Sequence, residues 1–250
     1  MTLAPGSLPL VFLHGWGLSG AVWTETMARF PPEVSCRAPD LSGYGTSPSR
    51  TPDRVEDLAD AVAASIARPA ALIGWSLGGM VAQALAARHP HKVARLVLVS
   101  TSPAFAARAD WPHAMAPALL EEFAHSLADD FRATLLRFLT LQARGGDAAR
   151  AVVGQLRERL RAQPEPYPAD LAAGLELLRT VDLRAQTGRV GCPTLVVHGA
   201  RDLLCPPEAG QWLAMHLPNA RLTLHERAAH APFLSHPDWF DATLKDFLHG

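Results

Sequence analysis

The sequence predicts an α/β fold in which helices cover both faces of a mostly parallel sheet, with a helical cap inserted in the chain. Short β-rich runs alternate with helical runs in both outer thirds of the 250 residues. The predicted strands are almost continuously apolar, which is typical of parallel sheets that are buried on both faces. The middle third shows only apolar spacing near the helical period. At this length, with 48% hydrophobic residues, we expect one domain with a large core.

Five strands are predicted, and helical segments connect them. The helical pattern of residues 55–67 separates the first two strands, and another helix follows directly after the second strand. The predicted strands are residues 9–14, 70–73, 93–99, 194–198 and 220–225. Because ligands of such sheets bind at the carboxyl ends of the strands, the polar residues that directly follow these runs are the first candidates for a site.

The middle of the chain is predicted to be a helical insertion. No strand pattern occurs in residues 102–189, where turns at 145–146 and 164–166 separate helical segments. These segments are residues 119–128, 130–144, 148–162 and 169–178. We therefore expect an α/β core made of residues 1–101 and 190–250, and a cap made of residues 102–189 that lies over the carboxyl ends of the strands.

Ser76 is the candidate nucleophile. It is the central residue of Gly74-Trp75-Ser76-Leu77-Gly78, which lies between an apolar strand and a helix. In that context the G-x-S-x-G pattern is typical of a sharp turn that exposes the serine hydroxyl above the sheet. The glycines let the strand and the helix approach closely, and the helix N-terminus favours developing negative charge.

Asp202 and His230 are the predicted partners of that serine, because a serine hydroxyl needs a base and a third group that orients the base. Both residues follow predicted strands, and they come after the serine in the order acid, then histidine. Taken alone, Asp202 could be an ordinary loop or helix-capping carboxylate, and His230 could be a surface histidine. His225 and His236 are nearby alternatives, but the first falls within a strand and the second opens the last helix.

An oxyanion hole is predicted from two backbone N–H groups. One belongs to Leu77, directly after the nucleophile, and the other to Trp16, in the loop 14–17 after the first strand. The glycines of this loop allow its backbone to turn towards the ester, and the indole of Trp16 would form a wall of the pocket. The alternative is that Trp16 is simply an aromatic residue of the core.

The composition argues against several classes of function. A net charge of −1 does not suggest the basic surface that nucleic-acid binding needs. No apolar run reaches the roughly 20 residues of a membrane span, and residues 1–9 lack the pattern of a secretion signal. The three cysteines are scattered, without metal-ligand spacing, and fit free thiols in a reducing cytoplasm.

Together these motifs resemble the α/β-hydrolase superfamily over essentially the whole chain. Within it, the chain resembles the family of pimeloyl-[acyl-carrier protein] methyl ester esterases of biotin synthesis. The segments that carry this resemblance are residues 72–79, 100–105, 111–112, 137–142, 174–184 and 228–233. The first and last segments are widespread among hydrolases. Residues 138–142 and 174–184 lie in the predicted cap, where members of the superfamily diverge, and they carry the more specific part of the resemblance.

The resemblance implies a serine carboxylesterase that hydrolyses the methyl ester at the end of a pimeloyl chain still attached to its acyl-carrier protein, releasing methanol. It implies no cofactor and no metal, and we expect a cytoplasmic monomer. It also implies that the substrate contacts Trp16, Ser76, Leu77, Phe138, Leu139, Thr140, Leu141, Gln142 and His230. Two alternatives stay open: another α/β hydrolase that acts on small esters or lactones, and a hydrolase-like binding protein.

The predicted cap carries a local excess of positive charge. Residues 131–163 include seven arginines and two acidic residues, a local net charge of +5 in a chain of net charge −1. Five of the arginines have spacings that place them on helical stripes: Arg137, Arg144, Arg150, Arg157 and Arg161. A basic surface beside the site would steer an acidic macromolecule such as an acyl-carrier protein. The alternative is an ordinary solvated helix face, and the resemblance of the cap favours docking.

Overall fold

A six-stranded sheet forms the centre of the protein, whose computed structural model describes residues 8–49 and 51–249. The strand order is β2-β1-β3-β4-β5-β6, and all five neighbouring pairs are parallel. The strands are β1 (Leu10–Leu13), β2 (Cys36–Arg37), β3 (Ala70–Trp75), β4 (Val93–Val99), β5 (Thr194–Gly199) and β6 (Ala220–His225). This architecture confirms the predicted α/β class.

The central strands are buried on both faces, as their apolar sequences predict. Every residue of β1, β3 and β5 is buried. Side chains alternate between the two faces of a strand, and along β1 Val11 and Leu13 belong to one hydrophobic cluster while Leu10 and Phe12 belong to the other. The sheet therefore separates two cores, each of which is covered by helices.

Ten α-helices surround the sheet in the described residues. They are α1 (Thr24–Met27), α2 (Val55–Ala64), α3 (Leu77–Arg88), α4 (Pro117–Asp129), α5 (Phe131–Ala143), α6 (Ala149–Ala162), α7 (Pro168–Thr180), α8 (Pro207–His216), α9 (Pro232–Ser235) and α10 (Pro237–His249). Among these residues, no helix is long and apolar enough to cross a membrane.

Four of the helices, α4 to α7, lie between β4 and β5 in the chain and are called here the inserted helices. Each corresponds to one of the four helical segments predicted for the middle third. Local sequence fixes the beginnings of three of them: proline is the first residue of α4 and of α7, where its missing N–H costs no hydrogen bond. At the start of α5, the Asp130 side chain accepts a hydrogen bond from the Ala133 N–H at 3.0 Å.

Several element boundaries differ from the predictions by one to three residues, and two of these differences have a local cause or consequence. The helix predicted over 55–67 ends at Ala64, because the Ser65 hydroxyl bonds to the Val62 carbonyl and competes with the helical pattern. The strand predicted over 70–73 continues through Trp75, so the turn at the candidate nucleophile begins two residues later. This extension places Ser76 directly after the last residue of a central strand.

Candidate active site

Ser76 occupies a strained turn between β3 and α3. Its φ of 55° and ψ of −121° fall in a region that non-glycine residues rarely adopt. Hydrogen bonds from the backbone and from Thr101 hold it there: the Ser76 N–H donates to the Val99 carbonyl at 3.1 Å, and the Thr101 hydroxyl donates to the Ser76 carbonyl at 2.8 Å. This is the backbone geometry of a nucleophile elbow.

The glycines beside Ser76 are required by close backbone contacts. A Cβ atom on Gly74 would collide with the Gly78 carbonyl oxygen and lie 2.7 Å from the Gly79 Cα. A Cβ atom on Gly78 would lie 2.5 Å from the carbonyl oxygen of Leu13. The start of α3 can therefore pack against β1 and β3 only without side chains at these positions.

Asp202 and His230 form a buried, hydrogen-bonded pair. The Nδ1 atom of His230 lies 2.8 Å from Oδ2 of Asp202, and both side chains are fully buried. Because an ionised carboxylate only accepts hydrogen bonds, the imidazole carries its proton on Nδ1. Its Nε2 atom is buried and has no hydrogen-bond partner among the described residues. The pair thus leaves an unprotonated nitrogen that can accept a proton.

The environment of Asp202 keeps its carboxyl group ionised. Burial by itself would raise the pKa of this group, but His230 and His198 outweigh that effect and hold its pKa well below the usual range. The other carboxylate oxygen, Oδ1, accepts hydrogen bonds from the backbone N–H groups of Leu204 at 3.0 Å and Cys205 at 2.9 Å. A buried carboxylate with these partners can orient and stabilise a protonated histidine.

The main chain of His230 is held from two sides. The Trp75 indole N–H donates to the His230 carbonyl at 2.7 Å, and the His230 N–H donates to the Gln142 carbonyl at 3.1 Å. Trp75 belongs to β3, directly before Ser76, whereas Gln142 belongs to α5. The loop that carries His230 is therefore anchored both to the strand of the candidate nucleophile and to the inserted helices.

The two predicted oxyanion donors follow neighbouring strands. Leu77 is the first residue of α3, so its N–H has no intrahelical acceptor. Trp16 follows β1, which pairs with β3, and a Cβ atom on the intervening Gly15 would lie 3.3 Å from the Ser76 Cβ. The Trp16 indole N–H donates to the Leu171 carbonyl at 2.9 Å, which leaves the main-chain N–H as the donor available at Trp16.

His14 stabilises the loop that carries Trp16. Its Nε2 atom accepts a hydrogen bond from the Leu41 N–H at 2.9 Å, so its Nδ1 atom is the protonated one and donates to the Gly15 carbonyl at 2.8 Å. Burial lowers the pKa of this imidazole. With both ring nitrogens engaged, His14 fixes the conformation of the loop.

The residues predicted to contact the substrate from α5 do not all face the site. Residues 138–142 are five consecutive residues of α5, which cover more than one full turn and therefore point in all directions around the helix. Phe138 is buried with its ring 4.8 Å from that of Trp16, and the Gln142 carbonyl contacts His230. Leu139 is buried in a hydrophobic core and Leu141 packs against one, whereas Thr140 is exposed on the outer surface.

The predicted docking arginines have different surroundings. Arg144, Arg150 and Arg157 line a groove of about 580 Å³ between α5 and α6. Arg161 lines a second cavity, of about 280 Å³, between the same helices and the turn that follows α6. Arg137 is engaged within the inserted helices, where its guanidinium pairs with Glu122 at 2.8 Å.

Comparison with known proteins assigns the class that this fold defines. The family model of the alpha/beta hydrolase fold matches residues 9–237. A solved esterase from Exiguobacterium antarcticum, EaEST, superposes with a TM-score of 0.87 at 23% sequence identity, covering 99% of this chain and 94% of that chain. At this level of identity the likeness shows the fold alone.

Relatives of known name are more similar in sequence. The pimeloyl-[acyl-carrier protein] methyl ester esterase of Aromatoleum aromaticum is 44% identical over 246 residues, which cover 96% of this chain and 98% of the relative. The protein of the same name from Chromobacterium violaceum is 44% identical over 239 residues, which cover 96% and 93%. The chain therefore belongs to the α/β-hydrolase family and, within it, to the family of these esterases. This result confirms the resemblance found in the sequence.

Proposed function

We propose that this protein is a serine carboxylesterase with a Ser76–Asp202–His230 triad. The observation that carries the proposal is the orientation of His230, whose Nδ1 donates to Asp202 while its buried Nε2 has no partner among the described residues. The strained serine after β3 and the family of the chain support the same assignment. A hydroxyl needs such a base in order to act as a nucleophile.

The proposed reaction is a two-step acyl transfer. His230 accepts the proton of Ser76 as the serine oxygen attacks the ester carbonyl, and Asp202 stabilises the resulting imidazolium. The main-chain N–H groups of Trp16 and Leu77 bind the oxyanion. His230 then gives its proton to the leaving methoxide, so methanol departs. Water, deprotonated by His230, attacks the acyl-enzyme, and His230 returns that proton to the Ser76 oxygen as the free carboxylic acid is released.

The proposed substrate is the methyl ester of pimeloyl-acyl-carrier protein, and the proposed pathway is biotin synthesis in the cytoplasm. The names of the relatives support this substrate. We propose residues 102–189 as a cap over the site, because α5 contacts both Trp16 and His230. Phe138 would then line the channel for the methylene chain, since its buried ring lies against Trp16.

Substitution of Ser76 by alanine tests the chemistry. We expect Ser76→Ala to lower kcat for methanol release from the carrier-bound methyl ester by at least about 10⁴-fold. Ser65→Ala is the matched control, because its hydroxyl only bonds to a helix carbonyl at the end of α2. A Ser76→Ala variant that keeps full methanol release would contradict the proposal.

Complementation tests the substrate separately. Expression of the protein in a bacterium that lacks its own pimeloyl-carrier methyl ester esterase should restore growth without biotin, whereas Ser76→Ala should not. If the protein hydrolyses small esters or lactones through Ser76 but fails to restore growth, it is a hydrolase of another substrate. If neither activity is found, a binding protein is the better assignment.

We further propose that the groove between α5 and α6 receives the acidic carrier. None of the ion pairs among the described residues involves the arginines that line it, Arg144, Arg150 and Arg157, so their charges can face a partner. Exposed charges of this kind act mainly on association and its salt dependence. Arg137 would then be a structural residue of the inserted helices, since it already pairs with Glu122.

A double charge reversal tests this docking surface. Arg150→Glu with Arg157→Glu should raise KM for the carrier-bound ester about tenfold or more, and should leave a p-nitrophenyl ester unaffected. Arg68→Glu with Arg189→Glu is the matched control, because both arginines are exposed. They precede β3 and β5 and so lie towards the amino ends of the strands, whereas Ser76 lies at the carboxyl end of β3. Equal losses on both substrates would instead indicate misfolding of the inserted helices.

A further inference from the structure

A second histidine, His198, lies beside the acid of the proposed triad. It is the fifth residue of β5, and its side chain is fully buried. Its Nε2 atom lies 2.8 Å from the Cys205 carbonyl oxygen and 3.5 Å from Oδ2 of Asp202. Because a carbonyl oxygen only accepts hydrogen bonds, the proton of this imidazole is on Nε2. This N–H therefore faces one acceptor on each end residue of the segment 202–205: the carbonyl oxygen of Cys205 and the carboxylate of Asp202.

Packing against α8 fixes the ring of His198. A Cβ atom on Gly210 would lie 2.6 Å from its Nδ1 atom. That nitrogen is buried and has no hydrogen-bond partner within the described part of the chain. The ring thus fills the space that the glycine of α8 leaves, and its only hydrogen bond among the described residues is the one that Nε2 donates.

The oxygen that His198 approaches is the one that orients the base. Oδ2 of Asp202 accepts the hydrogen bond from His230 Nδ1 at 2.8 Å, and Oδ1 is already bound by two backbone N–H groups of the same loop. The titratable groups that act on this carboxylate are His198 from β5 and His230 from the loop after β6, and the Cys205 thiol is in turn affected by Asp202. A change at His198 therefore reaches His230 through one shared atom.

We propose that His198 is a positioning residue, whose Nε2–H holds the loop 202–205 and shares the Asp202 carboxylate oxygen with His230. The inference rests on the proposed triad. Without this donor the Cys205 carbonyl is buried and unpaired, and the loop that presents Asp202 loses a constraint. The negative charge of Asp202 also acts more fully on His230, which favours the protonated imidazole.

Two variants of His198 separate positioning from simple packing. With a p-nitrophenyl ester, His198→Leu should lower kcat about tenfold at unchanged KM, since one buried hydrogen bond is lost. It should also move the acidic limb of the kcat/KM–pH profile to higher pH, because that limb reports protonation of the base. His198→Gln, which retains an N–H donor of similar reach, should recover most of kcat and the original limb.

A variant in α8, outside the loop, gives the same test without replacing His198 itself. Gly210→Ala adds only a methyl group, which favours the helix but displaces the imidazole, so it should shift kcat and the acidic limb in the direction of His198→Leu. The proposal is overturned if these variants lower only the melting temperature and leave kcat and the acidic limb as in the wild type. It is also overturned if the acidic limb moves to lower pH. Ser76→Ala, measured in parallel, reports failure of the triad itself.

Discussion

Replacement of Asp202 by asparagine isolates the role of one negative charge in the site. The two side chains have nearly the same shape, but the amide presents an NH₂ group where the carboxylate presents an oxygen. In the structure, both carboxylate oxygens face N–H donors: Leu204 and Cys205 at Oδ1, and His230 at Oδ2, which His198 Nε2 also approaches at 3.5 Å. No orientation of the asparagine satisfies all of these donors.

In the less costly orientation of the asparagine amide, His230 can no longer act as the base. If the NH₂ group replaced Oδ1, it would leave two buried backbone donors without an acceptor, so we expect it at the Oδ2 position. It then donates to Nδ1 of His230, which moves the imidazole proton to Nε2. A protonated Nε2 cannot accept the proton of Ser76. We expect kcat to fall about 10⁴-fold, which corresponds to roughly 5 kcal/mol in the activation free energy.

The assay is steady-state hydrolysis of a p-nitrophenyl ester, with folding checked by circular dichroism. Asp241→Asn is the matched control, because Asp241 is also buried, at 7% exposure, but lies in α10 beside Arg29. We expect the control to keep kcat within about twofold of the wild type. A loss of less than about tenfold in Asp202→Asn would refute the assigned tautomer and the role of Asp202.

Two further predictions concern stability. Gly74→Ala should lower the free energy of unfolding by about 1–3 kcal/mol in urea titrations, because the added methyl group meets backbone atoms of Gly78 and Gly79. Gly188→Ala is the control and should leave this free energy unchanged, because its added Cβ would have no neighbour within 4 Å. The pKa of Asp202 is lowered by folding, so its ionisation stabilises the protein fully above the unfolded value of about 3.9 and progressively less as pH falls through the lower pKa of the folded state. Below about pH 4, urea titrations should therefore show a steeper loss of stability for the wild type than for Asp202→Asn; parallel curves would contradict this assignment.

The sheet was predictable wherever a strand has enough residues to show a pattern. The predicted strands 93–99 and 220–225 agree with β4 and β6 residue for residue. The strand β2 was not predicted, because its two half-buried residues, Cys36 and Arg37, show no periodicity and depend on pairing with β1. The limits of β3 and α2 were displaced by local hydrogen bonding and by the turn at Ser76, which apolar periodicity does not report.

The candidate site was predictable from the order of its residues along the chain, but its supporting contacts were not. Ser76, Asp202 and His230 each follow a strand, and parallel strands bring such residues to one edge of the sheet. The hydrogen bond between Trp75 and His230 joins residues that are 155 positions apart, so no local pattern reveals it. His198 carried one weak signal, its position at the end of a predicted strand four residues before Asp202.

The hydrogen bond between His230 and Gln142 constrains how a substrate can reach Ser76. The serine is only 1% exposed, so if the inserted helices form the proposed cap, we expect them to move before a large substrate arrives. Motion of the last turn of α5 would break the contact with His230 and disturb the base at the moment when it is needed. We therefore expect an opening of the proposed cap to turn about the last turn of α5, with α4 and the first turns of α5 as the part that moves. In that motion the proposed base, His230, would stay in place while the cap turns about it.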